Sequence, residues 1–259
     1  MKTPHSLTVC VVVPTYNEVE NIDPLLYVLN DVRVRIAPHV LKVLIVDDNS
    51  PDGTAQRVQE LQQEYNTKII GYNFVNILQR PGKQGLGEAY KAGFTHALDT
   101  LQGDIICEMD ADFSHNPYDL PRLISRIEEG NDLVIGSRYI EGGEIPGNWG
   151  AHRRFMSKSA NLYAKFLLSL PPKDCTGGFR AIRATALREI DFANLITKGY
   201  AFQISLLYAL YSHGARISEV PIQFNDRSQG ESKLGISDIM ELGYSVPLLR
   251  LRGEDLAHG

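Results

Sequence analysis

Five short β-rich runs, 7–13, 40–46, 68–78, 105–109 and 133–135, alternate with stretches of helical periodicity, and this alternation constrains the fold more than any other feature. Parallel strands need a crossover of a dozen or more residues between them, usually a helix. The pattern therefore predicts βαβ units and an α/β fold with a mainly parallel central sheet flanked by helices. Asn21, Ser50 or Asp52, and Asn116 before Pro117 are the expected helix starts. Pro14 is expected to end the first strand.

The second half reads differently. The Gly-rich stretch EGGEIPGNWG precedes a helical segment over 151–170. Then come DCTGGFRAI, a helical segment near 202–211, a strand near 216–224, a polar loop, and a last helix interrupted by Pro247. No Pro/Ser-rich linker and no fixed repeat divides the chain. The expectation is one domain over 1–237, with a nucleotide-binding half at 7–136 and an acceptor-side half at 137–237. Residues 238–259 are expected to form a helix and tail.

The 259 residues are 43% hydrophobic and 22% charged, which excludes disorder and a collagen-like fold. A net charge of -5 gives no global basic field, so nucleic acid is not expected as a partner. Cys10, Cys107 and Cys175 form no ligand-like pair, which suggests buried hydrophobes, a reducing compartment and a cytoplasmic location. The apolar run at 7–13 is short for a signal-peptide core and is read as a strand. No 18 consecutive residues are apolar, so any membrane role is expected to be peripheral.

Binding sites in open α/β sheets lie where strands end and loops begin. In EMDADFSHNP, Asp110 and Asp112 stand two apart at a strand end and, on an extended segment, project to one side, where they can converge on a hard divalent cation. The alternative is an acidic turn with Asp112 as a cap. In VLIVDDNSPDGT, Asp47 and Asp48 are candidates to bond a base or ribose, or simply turn residues. In PTYNEVENI, Tyr16 and Glu18 follow Pro14, and Tyr16 offers a flat face for stacking unless it packs at the sheet edge. The glycines of RPGKQGLGEAYKAGF lack Walker spacing and are explained equally by helix entry.

Arg138, Arg153, Arg154, Arg180, Arg227 and Lys233 are spaced along the second half, several in Gly/Ser-rich loops. They are either solvated surface charges or the cations of a diphosphate cleft. Phe155, Leu162, Tyr163, Phe166, Leu167 and Leu170 share a helical stripe read as core or, given Lys158 and Lys165, as a membrane interface. His115 is read as a turn or cap residue rather than a ligand.

In order, VVVPTYNE, VDDNSPDGT, GLGEAYKAGF, MDADFSHNP, GSRY, CTGGFRA and DRSQGESKL make the chain resemble the family 2 glycosyltransferases over about residues 7–237. The resemblance is closest to the dolichol-phosphate and polyprenol-phosphate mannosyltransferases. It implies a GT-A fold with Pro14, Tyr16, Glu18, Asp47, Asp48, Asp110, Ala111 and Asp112 at the donor nucleotide-sugar. It also implies Asp110 and Asp112 on Mg2+ or Mn2+, Arg138, Arg153 and Ser157 at the acceptor phosphate, and Arg227 and Lys233 closing over the donor. Asp112, Arg138, Arg227 and Lys233 are the implied catalytic set. Where the family often has Gln as a third metal contact, this chain has Ser114.

The implied reaction moves mannose from GDP-mannose to a polyprenyl or dolichyl phosphate with inversion. It needs no strong general base, because a phosphate nucleophile is already ionised. The implied location is the cytoplasmic face of a membrane, reached directly or through a membrane-anchoring partner protein. The competing readings are a UDP-glucose-dependent lipid-phosphate glucosyltransferase, another family 2 enzyme, or a non-catalytic nucleotide-sugar-binding subunit. The QxxRW motif of processive synthases is missing.

Overall fold

The computed structural model describes residues 6–69, 71–147, 149–196, 201–225 and 243–251. Along the chain run β1 (Thr8–Thr15), α1 (Val19–Arg35), β2 (Val40–Asp47), α2 (Thr54–Lys68), β3 (Val75–Gln79), α3 (Leu86–Asp99) and β4 (Ile105–Glu108). They are followed by α4 (Leu120–Glu128), β5 (Leu133–Ser137), α5 (Ala151–Leu168), β6 (Arg180–Arg183), α6 (Ala184–Arg188), α7 (Ala201–Ser212) and β7 (Ile217–Pro221). The strands form one sheet in the order β3-β2-β1-β4-β6-β5-β7. All pairings are parallel except those of β6 with β4 and β5.

The valine-rich β1 shows why the sheet is buried on both faces. Val9, Val11 and Val13 enter one core cluster with α1, α2 and α4, while Cys10 and Val12 enter the other with α3, α5 and α7. A period of two sends alternate residues to opposite faces, so a run apolar throughout must be covered twice. Gly93 of α3 lies so close to the sheet that a Cβ there would stand 2.4 Å from Val12 Cγ1. The three cysteines are buried and unpaired, and burial pushes the Cys10 thiol up to about 12.

Several boundaries depart from the sequence reading. The run at 68–78 is not one strand: Lys68 ends α2, Gly71 turns the chain at φ 104°, and β3 starts at Val75. Asn66 accepts from the Val75 N–H and donates to its carbonyl, which anchors that start. β1 continues through Pro14 to Thr15, because pairing with β4 stops at Val12 and the missing Pro14 N–H falls beyond it. α1 starts at Val19, ahead of Asn21, since Asp52 and Thr54 from the next loop accept from the N–H groups of Val19 and Glu18. Asn116 does cap, through Tyr118 N, a 3-10 turn leading into α4.

Strand β6 was not anticipated. Its sequence, Arg-Ala-Ile-Arg, is charged at both ends and carries no alternation. Residues 243–251 are helical straight through Pro247, where an interruption was expected, and bury Val246 and Leu249. No helix of the described residues is long and apolar enough to cross a membrane.

Candidate active site

The register Thr15↔Asp47↔Gln79 brings β1, β2 and β3 to a common carboxyl edge. Chain order reverses between β1 and β4, which opens a crevice at a topological switch point between the loop carrying Tyr16 and Glu18 and the loop carrying Asp110 and Asp112.

Asp47 is fully buried, and its carboxylate accepts from Thr15 Oγ1 (3.1 Å), Ser50 N (2.9 Å) and Ser50 Oγ (2.6 Å). Ser50 Oγ in turn accepts from Asn17 N, so Asp47 holds the loops after β1 and β2 together. Asp48 pairs with Arg80 Nη1 at 2.5 Å, both side chains being buried. Burial pushes the Asp48 carboxyl up, with the Arg80 charge opposing. Glu18 accepts from Asn21 Nδ2 at 2.7 Å, and Tyr16, 37% exposed, lies under the Lys83 ammonium, 4.0 Å from the ring centroid. Gly85, at φ 103°, sits at the start of α3, so that glycine serves helix entry.

The segment after β4 is not extended. It turns, with Phe113 left-handed at φ 60°, and the Asp112 carboxylate accepts from Ser114 N at 3.0 Å. Asp112 therefore does act as a local cap, which leaves its suitability as a ligand intact because a carboxylate has several acceptor sites. His115 is buried between Phe179 and Phe224 and accepts the Asp110 N–H at Nδ1. Burial lowers its pKa against the pull of Asp110 and Asp112, so the imidazole is neutral and braces the turn.

Among the described residues no third His, Cys, Asp or Glu joins Asp110 and Asp112 in a metal cage. Two hard carboxylates, with buried Ser114 Oγ lacking a hydrogen-bond partner among the described residues, fit Mg2+ or Mn2+ completing its shell with water and phosphate oxygens.

Beneath this turn lies a cluster the sequence did not announce. Glu108 is fully buried and accepts from Gln203 Nε2 at 2.7 Å. Arg180, read from the sequence as a solvated surface charge or a cation of the cleft, is neither: it is fully buried in β6, donating to the carbonyls of Gly177, Gln203 and Cys175. Burial pushes Glu108 up to about 7, with Arg180 and Gln203 opposing and Asp110 adding to the rise.

An unfolded Glu108 loses its proton near its ordinary value of 4.5, whereas the native one keeps it to about 7. Its contribution to stability is thus full below 4.5 and is lost as pH rises to about 7, a loss of about 3 kcal/mol. Glu108→Gln in EDTA should match the wild type in acid and exceed it by about 3 kcal/mol at pH 8 in urea titrations. No gain at pH 8 would mean that attraction to Arg180 offsets the burial cost.

On the other side of the crevice, Arg138 forms a two-pronged pair with Asp174, Nε–Oδ2 and Nη2–Oδ1 both at 2.7 Å, and Nη2 also donates to Thr176 Oγ1. Ser157, buried in α5, shares a 2.6 Å hydrogen bond with Tyr139 OH. Arg153 and Arg154 lie in the first turn of α5. Arg153 stacks on Trp149 at 3.8 Å, and Trp149 meets Phe224, which packs on His115. Asn225 N donates to Ser114 O, closing the loop after β7 onto the acidic turn. Arg227 and Lys233 lie outside the described residues.

Arg80, Lys83, Tyr139, Trp149, Asp174 and Gln203 were missed as site neighbours. Trp149 is the single tryptophan of the chain and sits in a Gly-rich loop, a signal that was available. Arg80 and Lys83 lie in the RPGKQGLG run, Tyr139 in GSRY and Asp174 in DCTGG, segments singled out above for other residues, and Gln203 carries no local mark.

This sheet, mainly parallel with an acidic turn at its switch point, has the GT-A glycosyltransferase fold of the solved structures on which it superposes. Residues 10–191 match the model of glycosyl transferase family 2, and the chain belongs to that family. It is 41% identical over 251 residues to a polyprenol monophosphomannose synthase of Mycolicibacterium smegmatis, covering 96% of this chain and 89% of the relative. It is likewise 41% identical over 228 residues to an undecaprenyl-phosphate mannosyltransferase of Micrococcus luteus, covering 88% of each.

Among solved structures, mannosyl-3-phosphoglycerate synthase from Rubrobacter xylanophilus superposes with TM-score 0.62 at 19% identity, covering 98% of this chain and 76% of that one. Glucosyl-3-phosphoglycerate synthase from Mycobacterium tuberculosis, in complex with Mn2+, UDP and glucosyl-3-phosphoglycerate, gives 0.60 at 19%, covering 95% and 79%. At such identities the likeness concerns the fold.

Proposed function

We propose that this chain transfers mannose from GDP-mannose to a polyprenyl monophosphate, with inversion, releasing GDP and lipid-phosphate β-mannose. The observation that carries the reading is the pairing of an acidic switch-point turn, Asp110 and Asp112, with the Arg138–Tyr139–Ser157 side of the crevice, in a chain 41% identical to relatives named for polyprenyl-phosphate mannosyl transfer. In this reading residues 1–237 form one catalytic domain, and the sheet spanning both halves supports it.

Pro14, Tyr16, Glu18, Asp47, Asp48 and Ala111 line the donor nucleotide pocket, Asp47 by fixing its loops and Asp48 through Arg80. Asp110 and Asp112 hold Mg2+ or Mn2+, which supplies charge neutralisation for the departing diphosphate. A phosphate oxygen of the acceptor attacks the anomeric carbon as the bond to the diphosphate breaks. The electron pair leaves on GDP, and no proton need move. What the protein supplies is alignment of two anions. Arg138, oriented by Asp174, and Arg153, oriented on Trp149, provide positive charge on the acceptor side, and the hydrogen-bonded Tyr139–Ser157 hydroxyl pair offers one further donor. Arg227 and Lys233 close over the donor.

The lipid tail needs a membrane, and α5 carries a surface for one. Its buried face carries Ser157 and Asn161 beside Ala164 and Leu168, whereas Phe155, Leu162 and Phe166 point outward at 71%, 69% and 85% exposure. Reading that stripe as core is corrected: only Leu170 of it is buried, and Leu167 is half-buried. All charges on α5 are basic, in a chain of net charge -5, which suits an anionic bilayer surface. The protein thus works peripherally at the cytoplasmic face. Changing Phe155, Leu162 and Phe166 together to Ser should cut binding to anionic vesicles at least about tenfold without lowering Tm. Unchanged sedimentation would shift membrane attachment to a partner protein.

Incubating the protein with radiolabelled GDP-mannose, polyprenyl phosphate and Mg2+ tests the whole reading. Lipid-linked mannose is expected. Its formation from UDP-glucose instead would reassign the donor, and no glycolipid from either sugar would reject the transferase reading.

A further inference from the structure

The Lys83 ammonium occupies one face of the Tyr16 ring, 4.0 Å from its centroid. Lys83 is exposed and forms no ion pair among the described residues. The neighbouring cations behave otherwise: Arg80 is bound to Asp48, and Lys91 to Glu88. Its loop is nevertheless held in place, since Arg80 Nη1 donates to Asp48 and Nη2 to Gln84 Oε1 at 2.9 Å. Lys83 is therefore a flexible cation on an anchored loop, and the glycines at 82 and 85 beside it leave room for backbone adjustment.

A flat nucleobase stacking on Tyr16 and the Lys83 ammonium cannot both use the same side of the ring. A cation–π contact at an exposed site is weak and is readily exchanged for hydrogen bonds. An ammonium has three donors and no acceptor. It can donate to guanine O6 or uracil O4, whereas the amino groups that adenine and cytosine carry at those positions are themselves donors; N7, an acceptor in both purines, does not discriminate.

We propose that Lys83 is a base-reading residue of the donor pocket: it leaves the Tyr16 face when the base enters and donates to the base's oxo edge, selecting oxo over amino nucleotides. This rests on reading the crevice as the nucleotide-sugar site, but not on which oxo base the donor carries.

Calorimetric titration of the full chain and of Lys83→Met with GDP, UDP, ADP and CDP, each with Mn2+, tests it. Lys83→Met should weaken the preferred oxo nucleotide about tenfold while leaving its amino counterpart unchanged, so that the GDP:ADP or UDP:CDP ratio falls about tenfold. An equal loss for all four would make Lys83 a phosphate contact and overturn base reading, as would no loss at all. Wild-type preference for UDP over GDP would overturn the GDP-mannose donor and leave Lys83 to be judged by UDP against CDP. Lys83 is exposed, so an unchanged Tm is expected and separates these outcomes from misfolding.

Discussion

Asp112→Ala is expected to bind nucleoside diphosphate equally with and without Mn2+, and to lose mannosyl transfer by about 1,000-fold or more. The carboxylate has two jobs that can be separated. It accepts from Ser114 N in the turn after β4, and it stands beside Asp110 at the switch point. Losing the first costs about 1 kcal/mol, because one buried N–H is left unmet. Losing the second removes one of the two carboxylates at the proposed metal site. Asp112→Asn keeps an oxygen for Ser114 but not the charge, so it should recover stability and remain inactive. Titration of Mn2+ and GDP by calorimetry, beside a melting curve, checks both. Metal-dependent GDP affinity that survives in both variants would remove Asp112 from the site.

Asp174→Ala should destabilise the fold by about 3–5 kcal/mol, since it strips a buried guanidinium of its paired carboxylate. Asp174 is wholly buried and takes two side-chain hydrogen bonds and one backbone hydrogen bond from Arg138. Burial alone would raise its pKa, but the Arg138 charge and hydrogen bonds outweigh that and leave it below its ordinary value of 3.8. A depressed carboxyl contributes stability above its unfolded pKa and loses it as pH falls through the folded one. The difference between wild type and variant should therefore be full at neutral pH and shrink below about pH 4. Urea denaturation at pH 7 and pH 3 measures it. A variant that matches the wild type at pH 7 would show that Arg138 finds another partner, and acceptor binding should then be rechecked.

Strands β1, β2, β4, β5 and β7 and the helices between them could be read from the chain because short apolar runs and helical periods are local properties, whereas β6 carries neither. So could the acidic pair at 110 and 112, because its spacing and its strand-end position are both local. The extended geometry assumed for that pair does not hold, since the chain bends from Ala111 onward and turns left-handed at Phe113. Capping of α1 by Asp52 and Thr54 was invisible in the sequence, because the acceptors lie more than thirty residues from the N–H groups they satisfy.

Residue chemistry along the chain was enough to specify a doubly covered parallel sheet and acidic groups at its rim, since burial periodicity and strand-end loops follow from neighbours in sequence. Which cations face the crevice was settled by packing alone. Arg180 and Arg138 look alike as loop cations in the sequence, yet one is sealed in β6 against carbonyls and the other is steered by Asp174, thirty-six residues away. The outward turn of the Phe155–Phe166 stripe has the same origin. Its helix buries Ser157 and Asn161 because Tyr139, Cys175 and Thr176 supply their hydrogen bonds, and only the folded chain brings those partners within reach.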